Sequence, residues 1–225
     1  MSGRRESSAA AGCTASTAAA TRSGRAYSGA RAVGAVARAF ALGCVPSGRL
    51  VARACGVCLD AVGDGKPGAA NVRRSIGLGP ALLVATIDVA KGYAPAATAR
   101  RRGAGPHMTG ALALAPVLGH VLVVRGRGAA PTLGANLAMD TPAMTIAGSG
   151  IVAGTIGGKH AEAVVLGGLA YPLVMALLRR GPVRVVWGMA VVSVLVAARL
   201  RGEPGSPWPP AREVMWSRFW RDRDA

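Results

Sequence analysis

The sequence predicts an all-α fold, a polytopic integral membrane helical bundle with short or broken helices and glycine-rich cytoplasmic loops. Three observations carry that expectation. Residues Gly103 to Val124 form 22 consecutive positions without Asp, Glu, Lys or Arg, which as a helix extend roughly 33 Å and so span a bilayer. Further uncharged runs follow at Thr141 to Gly158, Ala163 to Leu178 and Val185 to Ala198. The charge is segregated: 27 Lys+Arg against 10 Asp+Glu give a formal +17, and Arg gathers at segment ends such as Arg100, Arg101 and Arg102 or Arg179, Arg180 and Arg184. Membrane proteins mark their edges in this way.

The composition excludes other classes. With 51% hydrophobic residues the chain is too apolar for disorder throughout, and with 4% aromatics that do not interleave with its Arg clusters it lacks the stacking platforms of a nucleic-acid binder. Nucleic acid is therefore not an expected partner. A large soluble helical core is the bland alternative, and the number and length of the uncharged runs count against it.

Along the chain, residues 1–29 are mostly Ala, Ser, Thr, Gly and Arg with almost nothing large to bury, so this extension is expected to be disordered. The short Ala18-Ala19-Ala20 run is followed by Arg22 and Arg25, which does not make a secretory signal. The membrane-embedded domain is expected over 30–204. Its first element covers Ala32 to Pro46 and is interrupted by Arg38, which must snorkel or face a polar cavity. The next, Leu78 to Ala99, carries Asp88 and Lys91 three residues apart, so both share one helix face and offset each other. Gly103 to Val124 then crosses as one helix. Gly128 to Gly158 is too long for one straight crossing and breaks at Asp140-Thr141-Pro142, where a charge and a proline both oppose helix continuation. Two shorter pieces result, which places the stretch around Arg127 on the same side as the C-terminal tail. That tail, 205–225, holds Trp208, Trp216 and Trp220 among Arg212, Arg218, Arg221 and Arg223, a mixture suited to an interfacial helix on an anionic cytoplasmic leaflet.

Several motifs are weighed and set aside. Gly63-Asp64-Gly65-Lys66-Pro67-Gly68 satisfies the dinucleotide-binding glycine spacing, but no strand precedes it and Pro67 interrupts the helix start. Gly157-Gly158-Lys159-His160 resembles the end of a P-loop yet lacks its first glycine and its Mg-binding hydroxyl. Cys55-Gly56-Val57-Cys58 has redox spacing without a redox context and reads as small apolar filler. The His residues at 107, 120 and 160 are too scattered for a metal site, and no cofactor is expected.

What survives is the chemistry beneath the first pattern. A glycine-rich loop exposes backbone N–H groups, and Lys66, Asn71, Arg73 and Arg74 surround it with donors suited to phosphate. A second short cationic loop, Arg125-Gly126-Arg127-Gly128, lies at the edge of the 103–124 run, just after His120. Two such loops imply a ligand with more than one anionic group, or two anionic ligands. No Ser/His/Asp arrangement or carboxylate pair supplies a nucleophile, so positioning and charge neutralisation must carry any reaction.

These residues resemble the bacterial acyl-phosphate-dependent glycerol-3-phosphate acyltransferases. Leu42-Gly43-Cys44-Val45-Pro46, followed by Gly48 and Leu50-Val51-Ala52-Arg53, is similar to the family's LGSIP opening segment. Gly63 to Val72 with Arg74 is similar to GSGNPGATNVLR without a gap, Asp88-Val89-Ala90-Lys91-Gly92 to D-x-x-K-G, Gly119-His120 to GH, and Arg127 to Gly134 to the tail of KGGKGVATALG. The resemblance covers 40–204. It implies a membrane enzyme that transfers an acyl chain from acyl phosphate to the sn-1 hydroxyl of glycerol 3-phosphate without an acyl-enzyme, with membrane lipids as surroundings and protein partners left open. By the same resemblance, Lys66, Gly68, Asn71 and Arg74 would hold phosphate in the first motif, with His120, Gly126, Arg127 and Gly128 contributing from the second. Arg74 and Arg127 become the catalytic candidates, together with Asp64 at the family's serine position. Where the family has asparagine this chain has Lys66, which can neutralise Asp64 as a pair. Arg127 replaces a lysine, and Arg199-Leu200-Arg201-Gly202-Glu203 matches RHREN only loosely, without its histidine and asparagine. Two rival readings stand beside the enzyme: a non-catalytic relative that binds anionic lipid or acyl phosphate and acts through partners, and a small anion transporter using Asp88, Lys91 and Asp140.

Overall fold

The structure, a computed structural model, describes residues 27–201 together with Trp216. The expected disordered extension and the expected interfacial tail lie outside these residues, apart from 27–29 and Trp216. Among the described residues the elements are helical. They are α1 (Ala30–Gly43), α2 (Ser47–Ala54), a 3-10 turn (Leu59–Ala61), α3 (Ala69–Ser75), α4 (Leu78–Arg101), α5 (Pro106–Gly119), a π-helical extension of α5 (His120–Val124), α6 (Ala129–Met139), α7 (Thr141–Ile156), α8 (His160–Leu177) and α9 (Pro182–Leu200).

Two helices are long and apolar enough to cross a membrane, Pro106–Val124 and Pro182–Leu200, and α1 with α2 makes a third if that pair, bent by 41°, is one span. The bend falls at Pro46, which has no N–H to give and biases the residue before it towards extended backbone. α7 and the apolar part of α8, Glu162–Leu177, are shorter and pack on each other as a hairpin. The break between α6 and α7 falls at Asp140, as the sequence predicts. Its carboxylate caps α7 by accepting from the Ala143 N–H at 3.1 Å, and Pro142 occupies the first turn, where a missing N–H does no harm.

The 103–124 run contains one continuous helical span, Pro106–Val124, as the sequence predicts, but its last turn departs from α geometry. α5 gives way at Gly119 to a π-helical turn that ends at Arg125 in a left-handed conformation, φ 62°. Pro116 lies inside α5 just before this change, where its absent N–H weakens the regular ladder. Cys55 and Cys58 also differ from expectation. Rather than filling apolar gaps, both are exposed, on either side of Gly56, whose φ of 75° turns the chain outward after α2.

The helices approach closely where side chains are small, as membrane bundles require. A Cβ on Gly92 of α4 would strike the Pro131 carbonyl of α6, and one on Gly134 of α6 would strike the Val89 carbonyl of α4. α1 meets α5 in the same manner through Gly43 and Gly119, against Pro116 and Phe40. Leu82, Leu83, Leu173, Leu177 and Val186 are left on the outside, the surface that lipid covers. Arg201, just past α9, donates to the Val121 carbonyl at 3.0 Å. The end of α9 and the second glycine loop therefore lie at the same end of the bundle, whereas the tail beyond it lies outside the described residues.

Candidate functional site

The first glycine loop is built around Asn71. This side chain, 1% exposed, donates its amide to the carbonyls of Val62 at 3.1 Å and Lys66 at 3.2 Å, while its oxygen accepts the Asp64 N–H at 3.3 Å. Gly63 must be glycine for two reasons: its φ is 61°, and a Cβ there would occupy the place of Asn71 Oδ1. Asn71 thus ties both arms of the loop to the start of α3. Asp64 accepts the Lys66 backbone N–H at 3.2 Å through Oδ1 and the Arg74 guanidinium at 2.6 Å through Oδ2.

The second loop begins where the π-turn ends. Gly126 lies against the His120 ring, leaving no room for a Cβ, and its N–H donates to the His120 carbonyl at 3.2 Å. Gly128, at φ 76°, then turns the chain into α6.

Both loops open on one cavity of about 300 Å³. Asp64, Lys66, Gly68 and Asn71 line it from the first loop, and His120, Gly126, Arg127 and Gly128 from the second. Arg74 stands back from the lining and reaches the site only through Asp64. The inner limb is apolar, walled by Leu133, Met144, Ile151, Val164 and Leu195, with Gly168 leaving space between α8 and α9. One cavity thus joins a cationic, glycine-lined mouth to an apolar limb, a shape that matches an anionic head with a hydrocarbon tail.

Beneath the mouth lies a buried polar cluster. Lys91 Nζ donates to Asp88 Oδ1 at 2.8 Å, to Ser47 Oγ at 3.0 Å and to the Val45 carbonyl at 2.6 Å, and Ser47 Oγ donates to Asp88 Oδ1 at 2.5 Å. The predicted pairing of Asp88 with Lys91 is therefore present, with Ser47 of α2 as an added partner. Asp88 also lines the cavity, with His120 Nδ1 3.9 Å from its Oδ1, beyond hydrogen-bond reach.

Two further lining residues, Arg199 and His160, appear in motifs weighed in the sequence but receive no site role there. Arg199 is 5% exposed, yet in sequence it is one more arginine at the end of an apolar run. His160 opens α8, just before the apolar stretch that begins at Glu162. Although the turn that carries it is exposed, partial burial of its ring lowers the histidine below its usual titration range, and the positive charges of Arg199 and Arg73 push in the same direction.

Comparison with known proteins bears on this geometry directly. A family model described as glycerol-3-phosphate acyltransferase matches residues 33–205. The glycerol-3-phosphate acyltransferase of Rubrobacter xylanophilus is 44% identical over 108 residues, covering 46% of this chain and 54% of the relative. The chain thus spans about half the length of that relative, and likewise of two from Thermus thermophilus. That of Geobacter sulfurreducens is 32% identical over 171 residues, covering 72% of this chain and 87% of the relative. Among solved structures, the glycerol 3-phosphate form of PlsY, an integral membrane glycerol 3-phosphate acyltransferase, superposes with a TM-score of 0.70 at 25% identity, covering 76% of this chain and 88% of the other.

Proposed function

This chain belongs to the glycerol-3-phosphate acyltransferase family and is an integral membrane protein, and from that premise we propose that it transfers an acyl chain from acyl phosphate to glycerol 3-phosphate, forming lysophosphatidate for phospholipid biosynthesis. The observation that carries the reading is the single cavity on which both cationic glycine loops open. Lys66 and the N–H groups around Gly68 hold one phosphate. Arg127 and Gly128 hold the other, and the apolar limb takes the acyl chain. With both anions neutralised side by side, the glycerol hydroxyl meets the acyl carbonyl carbon in a geometry that bulk water does not offer. Positive groups near the leaving phosphate stabilise the charge that develops as the acyl–oxygen bond breaks.

Arg74 acts in this reading through Asp64. It holds the carboxylate at the loop's rim, so that the first loop does not present an unpaired negative charge to an anionic substrate. Asn71 serves by shaping the loop. The motif loops and the C-terminal tail face the cytoplasm, where glycerol 3-phosphate is available, and residues 30–204 form the enzymatic domain.

Purified protein in detergent is expected to release inorganic phosphate from acyl phosphate only when glycerol 3-phosphate is present. The Arg74–Asp64 pair favours one alternative, a relative that binds anionic lipid or acyl phosphate without turnover, because it occupies a cation otherwise free for substrate. Separate Arg74 and Arg127 substitutions distinguish the two: loss of turnover supports the enzyme, and loss of lipid binding with no turnover to lose supports the binder.

A further inference from the structure

Arg49 of α2 stands between the two glycine loops and reaches towards both. Its Nε donates to Asp60 Oδ1 at 2.9 Å and to Oδ2 at 3.1 Å, and Nη2 lies 2.9 Å from Oδ1, so two nitrogens of one guanidinium hold the carboxylate. The third nitrogen, Nη1, donates to the Val124 carbonyl, 75 residues along the chain, in a longer bond of 3.4 Å. Asp60 belongs to the 3-10 turn that leads into the first loop. That turn is fixed: Leu59 is buried with Ala52, Val72 and Val84, and Asn71 donates to the Val62 carbonyl just beyond it. Val124 ends the π-turn that leads into the second loop, so its carbonyl has no N–H one turn ahead to pair with. α2 is itself pinned beside the first loop, because a Cβ on Gly48 would strike the Pro67 carbonyl and Ser47 is bonded to Asp88.

Resting on the acyltransferase reading above, we propose that Arg49 is a positioning residue that joins the two glycine loops, its guanidinium held by Asp60 ahead of the first loop and donating to the Val124 carbonyl ahead of the second. Arg49 does not line the cavity, so it acts through the loops and not on the substrates. What it sets is the distance between the two phosphate sites. In a reaction carried by placing two anions side by side, that distance decides how often the glycerol hydroxyl meets the acyl carbonyl carbon. Each loop also has a scaffold of its own. Asn71 ties the first, while the Gly126 N–H on the His120 carbonyl and Arg201 on the Val121 carbonyl hold the second. Loss of Arg49 therefore leaves each loop able to bind its own anion and frees only their separation. With side chains 31% and 52% exposed, the Arg49–Asp60 pair adds little to overall stability. A planar fork serves two acceptors in different directions at once, which a single ammonium does not. The motif resemblance leaves Arg49 and Asp60 without an assigned role.

The test is glycerol 3-phosphate-dependent phosphate release by full-length protein in detergent. Arg49→Met is expected to lower kcat at least about tenfold, with KM for either substrate little changed. Arg49→Lys, which keeps the charge and loses the fork, is expected to be slowed in the same way. The reversed pair, Arg49→Asp with Asp60→Arg, restores an ion pair but leaves the Val124 carbonyl without its donor, so it should match wild type in melting temperature and remain slow. Wild-type kcat in Arg49→Met, full recovery of kcat in the reversed pair, or a loss confined to KM overturns the proposal. If Arg49→Met does not accumulate as folded protein, Asp60→Asn carries the test: a lower kcat at unchanged KM supports the bridge, and wild-type kcat refutes it. Hydrogen exchange gives a readout that needs no turnover. Arg49→Met is expected to speed exchange of the amides at 125–128, in the second loop, and unchanged exchange there overturns the bridge. Wild type without any glycerol 3-phosphate-dependent phosphate release would refute the acyltransferase reading itself, and the exchange result would still decide whether Arg49 holds the loops.

Discussion

The Arg74 guanidinium meets Asp64 Oδ2 at 2.6 Å across the rim of the first glycine loop. Both side chains are partly open to solvent, 55% and 35% exposed, so the pair contributes at most about 1 kcal/mol to folding. In the proposed acyltransferase its effect would fall on the substrate, because the carboxylate would face an anion and the arginine is held by the carboxylate. Asp64→Ser is expected to lower KM for glycerol 3-phosphate several-fold and to leave the melting temperature almost unchanged. Steady-state kinetics beside thermal unfolding check this, and a raised KM would contradict it.

Asn71 should behave differently. Removing its amide takes one of two donors from the Val62 carbonyl, which keeps the Gly65 N–H, takes the Asn71 donor from the Lys66 carbonyl, and loosens both arms of the loop. Asn71→Ala is expected to destabilise the protein by about 1–3 kcal/mol and to abolish glycerol 3-phosphate binding. Asn71→Asp, of the same shape but with an acceptor in place of the donor, is expected to lose binding as well. Calorimetric titration beside thermal unfolding of both variants checks this: lost binding at unchanged stability would point instead to a direct phosphate contact.

Gly126 lies against the Nε2 edge of the His120 ring, where a Cβ would collide with it. Gly126→Ala is expected to displace either the ring or the loop and to lower kcat/KM at least tenfold, since about 1.4 kcal/mol of misplacement already gives that factor. Gly157→Ala, at a position with room for a methyl group, serves as the control. Equal activity of the two variants would show that the second loop is not held as described.

Asp88 and Lys91 are both buried, with side chains 3% and 4% exposed. Breaking such a pair leaves one charge uncompensated, so Lys91→Met is expected to destabilise by about 3–5 kcal/mol. The double variant Asp88→Asn, Lys91→Met should recover part of that loss, because no lone charge remains. Chemical unfolding of the single and double variants in the same detergent tests the sign, and a double variant less stable than the sum of the two singles would contradict it.

Local chemistry explains which features could be read from the sequence. The α6–α7 break was legible because Asp140 and Pro142 each oppose a helix on their own, and the Asp88–Lys91 pair because three residues of helix bring the two together. The two cationic loops were legible as loops. Their meeting at one cavity depends on α4 packing against α6 through Gly92 and Gly134, a tertiary contact that neither loop encodes. Arg199 was hidden for a related reason. An arginine at the end of an apolar run ordinarily reaches for the membrane surface, and only the position of α9 beside the π-turn directs this one inward. The π-turn itself, and the exposure of Cys55 and Cys58, follow from backbone geometry that residue types in a row do not specify.

The central claim is that Lys66 and Arg127, from separate glycine turns, serve one reaction in one cavity. A double-mutant cycle on glycerol 3-phosphate-dependent phosphate release, using Lys66→Met, Arg127→Met and the double variant, measures this most directly. The account predicts that each single change lowers kcat/KM by at least tenfold and that the two effects are not additive, with a coupling energy of about 0.5–3 kcal/mol. Fully additive losses, or a single variant with wild-type turnover, would contradict it.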